Sequence, residues 1–314
     1  MIPFFSIGIP AFKAKFLDEC INSILAQTYT DFELIIVNDA SPEDIGGIVS
    51  QYLDERISYY VNDKNIGAEN VVDNWNKCLS YAKGDYFILM GDDDTMESNY
   101  LEEFVKLINK YPDLNIYHCR SYIINENSEK ILLSNSLPEY ESVYDNVWHR
   151  ITSLRTQFIS DFVYRRKSLV EFGGFYKLPL AWISDDISAY IAMQEKGIAH
   201  LNNPVFNYRK SNLTISRSGN SELKMKAVLM AESWFKTFLK KEAPQKGYDK
   251  VLYMAINQRL SAYILKRKLN IIASSLNKKG LVSWFFWLRK SKEYEISKTL
   301  LFYSLVEFFK QKHK

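Results

Sequence analysis

Cysteine is scarce: Cys20, Cys78 and Cys119 are the only three in 314 residues. Odd in number, widely spaced and without metal-type pairing, they argue against a disulfide framework and predict free thiols in a reducing cytoplasm. Long apolar runs are missing too. No stretch approaches the roughly 18 residues needed to cross a bilayer. The apolar N-terminus, M-I-P-F-F-S-I-G-I-P, lacks the basic flank and small-residue cleavage site of a signal peptide, so it is expected to be a first strand. Basic residues are plentiful, yet no nucleic-acid recognition motif accompanies them, and no nucleic-acid partner is expected.

With 47% hydrophobic and 25% charged residues, the chain has the composition of a globular protein with one large domain and an appendage. Its net charge of +3 hides an asymmetry. Residues 221–314 carry 20 Lys and Arg against 7 Asp and Glu, which leaves 20 against 30 for the first 220. The expectation is an acidic α/β body over residues 1–218 and a basic helical region over 219–314 that meets something anionic.

The chain is organised around Tyr86 to Thr95, Y-F-I-L-M-G-D-D-D-T. An apolar run too short for a typical helix reads as a buried central strand, and it stops at a glycine followed by three carboxylates. Asp92, Asp93 and Asp94 repel one another, so a cation among them is expected, and all-oxygen ligands favour Mg²⁺ or Mn²⁺ over zinc. A solvated turn capping the next helix is the plainer alternative. Upstream, strands at Phe4 to Ile9, from Phe32 and at Ile57 to Val61 alternate with helices at about Phe16 to Gln27 and Ala68 to Ala82. That alternation means parallel crossover units, with ligands at the carboxyl ends of the strands, where Phe12, Asp39 and the three aspartates fall.

The succession P-A-F, S-I-L-A-Q-T-Y, V-N-D-A-S, N-I-G-A-E-N and M-G-D-D-D resembles the family 2 glycosyltransferases. The likeness continues through F-V-Y-R-R-K-S-L, F-G-G-F, W-I-S-D-D-I and P-V-F-N-Y-R, so that it covers roughly Ile2 to Ser216. It implies the GT-A fold, a Rossmann-like, mostly parallel sheet flanked by helices, here with a C-terminal helical appendage. It also implies an inverting enzyme that moves a sugar from a nucleotide donor, expected to be UDP-linked, to a hydroxyl of a glycan or lipid-linked saccharide in cell-surface polysaccharide synthesis.

The resemblance assigns Pro10, Ala11 and Asp39 to the nucleotide pocket, with Phe12 near the base. Asn65, Gly67 and Asn70 join it, although Glu69 stands where the family often has arginine. Laying D-x-D-D on G-D-D-D puts Gly91 at the first position. Asp93 then matches the direct metal ligand, Mn²⁺ or Mg²⁺. Asp92 and Asp94 remain neighbours that bind ribose, act through water or replace the lost carboxylate; we place Asp92 with the nucleotide and Asp94 with the metal. The loop holding Gly174 lies beside the sugar and acceptor in the family. Asp186 matches the base that takes the proton from the acceptor hydroxyl, Asp185 orients it or the acceptor, and Trp182 offers a flat face to the acceptor sugar. Arg209 or Lys210 would neutralise the diphosphate. A plain helix N-cap is the alternative for the Asp185-Asp186 pair.

In the tail, Leu223, Ala227, Met230, Trp234, Phe238 and Leu239 share a helical face, and a second helix is expected from about Lys250 to Lys268. L-V-S-W-F-F-W-L at Leu281 to Leu288, followed by Arg289, Lys290 and Lys292, fits a segment lying in a membrane interface at the inner face of the membrane. A helical subdomain packed on the body, or across a homodimer, is the competing expectation. Two other functional classes stay open beside the enzyme: a catalytically silent nucleotide- or glycan-binding module, and a nucleotidyltransferase, for which the acidic pair has no evident role.

Overall fold

The computed structural model describes residues 3–211, 220–241 and 243–312; the expected boundary at 218/219 lies outside them. The ten strands are β1 Phe5–Ala11, β2 Phe32–Asn38, β3 Ile57–Val61, β4 Tyr86–Leu89, β5 Thr95–Met96, β6 Ile116–Ile124, β7 Lys130–Leu133, β8 Tyr140–Glu141, β9 Phe162–Arg165 and β10 Ile198–Arg209. They form one sheet ordered β3-β2-β1-β4-β9-β6-β10-β5, with β7 on β6 and β8 on β10. The first four strands are parallel, as the alternation with helices requires. Beyond β4 the sheet becomes mixed, because β9 runs antiparallel to both β4 and β6.

Side chains alternate across the sheet. Along β4, Tyr86 and Ile88 point into one apolar cluster and Phe87 and Leu89 into the other, the period of two that a strand imposes. The first cluster is closed by the helices Leu17–Leu25 and Tyr100–Lys110, whose Ile21, Ile24, Leu101 and Phe104 are buried. Burying each such side chain stabilises the fold by about 1.5–3 kcal/mol. The second cluster runs from Trp75 and Cys78 of the helix Val71–Tyr81 through Ile187 and Tyr190 of the helix Ser184–Met193 and on into the C-terminal helices.

Those helices are Ser221–Phe238, Gly247–Lys279, Leu281–Arg289 and Lys298–Lys312. Phe235, Ile256 and Ile264 continue the core beneath Tyr190. The inward face of Ser221–Phe238 differs from the sequence reading: Met225, Val228, Ala231 and Phe235 are buried with Ala227 and Phe238, whereas Met230 is exposed. The helix is apolar on more than one side, so spacing alone selects the wrong stripe. Leu281–Arg289 turns Trp287 and Ser283 inward and leaves Leu281, Val282 and Phe285 half or more exposed. Among the described residues, no helix is long and apolar enough to cross a membrane.

The strand order reverses between β1 and β4, and their carboxyl ends open a crevice at that point.

Candidate active site

The crevice contains a cavity of about 280 Å³, walled by Pro10, Lys13, Trp75, Met90, Phe158 and Tyr208 and by all three aspartates of the Asp92–Asp94 run. The three carboxylates are held differently. Asp92 is buried, and one of its oxygens accepts from the backbone N–H groups of Phe12 and Lys13, both at 2.8 Å. It thereby ties the end of β1 to the end of β4. Asp94 is buried too; it accepts from the backbone N–H of Arg209 at 2.8 Å and from the Ser160 hydroxyl at 3.3 Å. Burial first, then the neighbouring Asp93 charge, pushes the Asp94 carboxyl well above the usual range.

Asp93 is the carboxylate of the three that faces a cation rather than a hydrogen-bonded turn, with the Lys13 ammonium at 3.4 Å. Its donor set suits Mg²⁺ or Mn²⁺, which commonly take one or two carboxylates and complete their shell with water and substrate phosphates.

Gly91 has a steric reason. A Cβ there would lie 2.8 Å from Asp94 Oδ2, so the Asp94 carboxylate fills the space that a side chain at 91 would need. Gly91→Asp, which restores the family's usual first aspartate, should therefore lower turnover by about 10-fold or more instead of raising it. Steady-state kinetics with saturating Mn²⁺ would reveal the opposite outcome as a gain.

Asp39 follows β2 directly and is buried. Its Oδ1 accepts from Asn62 Nδ2 at 2.8 Å and from the Ile66 N–H at 2.9 Å, while Asn65 Nδ2 donates to its carbonyl at 2.8 Å. The loop with Gly67, at φ 83°, is thus anchored on Asp39, and Asn70 closes it through the Ile66 carbonyl. Ala11 is buried, its carbonyl accepting from the Asp39 N–H, whereas Phe12 is 39% exposed.

Arg209 sits elsewhere than a diphosphate ligand would. It is fully buried, stacked 4.2 Å from the Phe16 ring centre, and all three side-chain nitrogens donate to protein oxygens of Asp93, Asn125, Ser128 and Glu19. It is a clamp on the Asp93 backbone. Among the described residues lining the cavity, Lys13 is the cation, directly after P-A-F, where the sequence reading stopped one residue short. Gly174 also has a packing reason: at φ 81°, its Cβ would lie 2.4 Å from Asn76 Oδ1, the atom that accepts from the Phe175 N–H.

The second acidic pair opens the helix Ser184–Met193, where the free N–H groups favour negative charge. The turn before it is strained: Leu180, Ala181 and Ile183 adopt φ 60°, 51° and 76°. Leu180, Ala181 and Asp185 line the strand-end cavity and also a second one of about 230 Å³ that contains Asp186, Trp182, Arg150 and Arg267. The pair therefore straddles a partition, Asp185 on both sides and Asp186 on the far side. Arg150 Nε donates to Asp186 Oδ1 at 2.7 Å. The Asp185 carboxyl is raised to about 7, by burial first and by the Asp186 carboxylate second, with Arg150 opposing.

That value lies above the ordinary 3.9 of an unfolded Asp. Between the two, folding favours the protonated form, so this group's contribution to stability falls as pH rises from about 4 to 7. Asp185→Asn removes the penalty. Its melting temperature should exceed wild type by more at pH 8 than at pH 5, as differential scanning fluorimetry would record; an equal shift at both would refute the assignment.

Outside this region, Glu141, Asp145 and His149 bring ligand-type atoms within 4.8 Å of one another. Glu141 already accepts from Asn146 and Arg155 and pairs with His200, which commits it to a buried polar network, while His149 Nδ1 lies 2.9 Å from Asp145 Oδ1.

The sequence model described as "Glycosyl transferase family 2" matches residues 6–173, and the chain belongs to that family. Among curated relatives, it is 32% identical over 147 residues to the glycosyltransferase GlyA of Streptococcus pneumoniae, covering 45% of this chain and 20% of that protein. It is 32% identical over 104 residues to the putative teichuronic acid biosynthesis glycosyltransferase TuaG of Bacillus subtilis, covering 32% and 40%. The alignments thus span a minor part of these relatives' length. Among solved structures, residues 1–349 of S. aureus TarS in complex with UDP-GlcNAc superpose with a TM-score of 0.64 at 13% identity, covering 97% of this chain and 88% of that one. The mannosyltransferase PcManGT of Pyrobaculum calidifontis, in complex with GDP-Man and Mn²⁺, gives 0.54 at 16% identity, covering 99% and 87%. These likenesses establish the GT-A fold.

Proposed function

We propose that the protein is an inverting, metal-dependent glycosyltransferase that moves a sugar from a nucleotide donor, UDP-linked by preference, to a hydroxyl of a glycan or lipid-linked saccharide in cell-surface polysaccharide synthesis. The observation that carries this reading is the partition: a carboxylate-lined cavity at the strand ends and a second cavity beyond it share Asp185, with Asp186 on the far side. A donor in the first cavity and an acceptor in the second would meet there.

Pro10, Ala11, Phe12 and Asp39, with the loop of Asn65, Gly67 and Asn70, hold the base and ribose, and Asp92 fixes the strand ends against them. Lys13 meets the diphosphate. Asp93, with Asp94 beside it, would hold a divalent cation that neutralises the charge growing on the departing nucleoside diphosphate. Asp186, oriented by Arg150, takes the acceptor proton as its oxygen bonds to the anomeric carbon and the bond from that carbon to the diphosphate oxygen breaks. Asp185 lines both cavities, and once ionised its carboxylate adds negative charge that draws the proton leaving the acceptor hydroxyl. Transfer should accordingly rise with pH through an inflection near 7 that Asp185→Asn abolishes.

Calorimetry with UDP-, GDP-, dTDP- and CMP-sugars, with and without Mn²⁺, tests the donor site directly. Metal-dependent binding of one nucleotide class is expected; binding of none would return the protein to the silent-module reading.

A peripheral membrane contact is the proposed role of Leu281, Val282 and Phe285, which are exposed beside the basic Arg289 and Lys290. Phe285→Asp should reduce sedimentation with anionic vesicles.

A further inference from the structure

Beyond Asp186 lies a groove of about 860 Å³, roughly three times the strand-end cavity. It shares Arg150, Trp182 and Arg267 with the cavity holding Asp186, so the three spaces follow one another. Its cations are Arg150, Arg155, Lys224, Lys266, Arg267 and Lys278, and no Asp or Glu is among its described lining residues. Arg150 pairs with Asp186, Arg155 pairs with Glu141, and Arg267 Nε donates to the Tyr263 hydroxyl at 3.0 Å. The cations come from different places in the chain, Lys224 from the helix Ser221–Phe238 and Lys266, Arg267 and Lys278 from the helix Gly247–Lys279.

Like charges brought together along one wall repel, and a protein tolerates that arrangement most readily where an anion is received. Lys224 records the repulsion. It is nearly buried, its ammonium lies 4.7 Å from the Trp182 ring centre, and burial followed by the Lys278 charge lowers its pKa. Trp182 adds a second sign of an absent ligand, since its Nε1–H is buried without a hydrogen-bond partner among the described residues. Such a donor is costly to bury unless something accepts from it. Ser221, in the first turn of an 18-residue helix, brings the positive end of the helix dipole to the same wall.

We infer that this groove binds a phosphate-bearing acceptor, a saccharide or polyol chain whose anionic oxygens lie along Lys224, Lys266, Arg267 and Lys278 while its hydroxyl reaches Asp186. The groove's volume accommodates more than one acceptor unit. Lysine ammoniums and the arginine fork suit tetrahedral phosphate oxygens, and the Trp182 N–H supplies a fixed donor at the mouth of the partition. The inference deepens the transferase reading and rests on it for the direction of the chain, though not for the binding of the anion.

The test is binding of two soluble probes to the full-length chain, a glycerol-phosphate oligomer and a short-chain polyprenyl-diphosphate disaccharide, against a neutral oligosaccharide of the same length. Lys266 and Lys278 are exposed, so Lys266→Ala/Lys278→Ala should fold normally, with an unchanged melting temperature as the check. At least one phosphate probe should bind, weaken steeply with salt, and lose about 10-fold or more in the double variant. A preference for the oligomer would place phosphate along the acceptor chain, and a preference for the disaccharide would place it at a diphosphate linkage. The inference is overturned if the neutral oligosaccharide binds as tightly as both, or if the double variant binds unchanged. Donor binding is measured in the same samples: a groove that holds its probe in a protein blind to every nucleotide sugar would sink the transferase reading and leave this one standing.

Discussion

Asp186→Asn should lower sugar transfer by about 10² to 10⁴-fold while leaving donor affinity within about twofold of wild type. The carboxamide keeps the shape that Arg150 Nε grips at 2.7 Å but has no basicity to take a proton from the acceptor hydroxyl. Asp186 lies in the second cavity and does not line the first, so donor binding has no reason to change. A parallel fall in donor affinity would mean that the residue holds the nucleotide sugar instead. Asp185→Asn, assayed beside it, separates the two roles: a loss concentrated above pH 7 is expected there, against a loss at every pH for Asp186→Asn.

Asp93→Ala should abolish metal-dependent donor binding, with kcat/KM falling by about 10³-fold or more. The effect should exceed that of removing either neighbour's contact with solvent, because Asp92 and Asp94 are already committed to backbone N–H groups at 2.8 Å. In Asp93→Ala, the Lys13 ammonium loses that carboxylate and remains as a cation on the cavity wall facing the diphosphate. A weakened, metal-independent affinity for the free nucleoside diphosphate should therefore persist. Full metal-dependent binding in the variant would show that Asp93 is not the ligand.

Much of the frame was legible because strands in a parallel block are buried on both faces and read as apolar runs that stop at polar residues. The strand from Phe32 and the start of β4 at Tyr86 follow from that pattern, and the crevice follows from the order of crossover units. Arg209 was not legible. An arginine at the end of a strand reads as surface, and only the folded chain brings Phe16, Glu19 and Asn125 around it. The antiparallel direction of β9 was not legible either, although Phe162 to Tyr164 reads as a strand: four residues carry no sign of strand direction. Phe158, stacked on Tyr208 at 3.7 Å, walls the cavity from a loop with no periodicity to mark it. Adjacent aspartates at a helix start differ by about 100° in direction, and which one faces which cavity depends on the turn before them.

That turn bears on how the protein could change. Three residues with side chains hold left-handed backbone angles within four positions, and each such conformation costs on the order of 1–3 kcal/mol. Ala181→Gly would relieve part of that load and would also remove a methyl group from the wall between the two cavities. On the proposed reading, the substitution that relieves the turn would also leave the sugar more open to water, so that futile hydrolysis of the donor would limit how far this segment can relax.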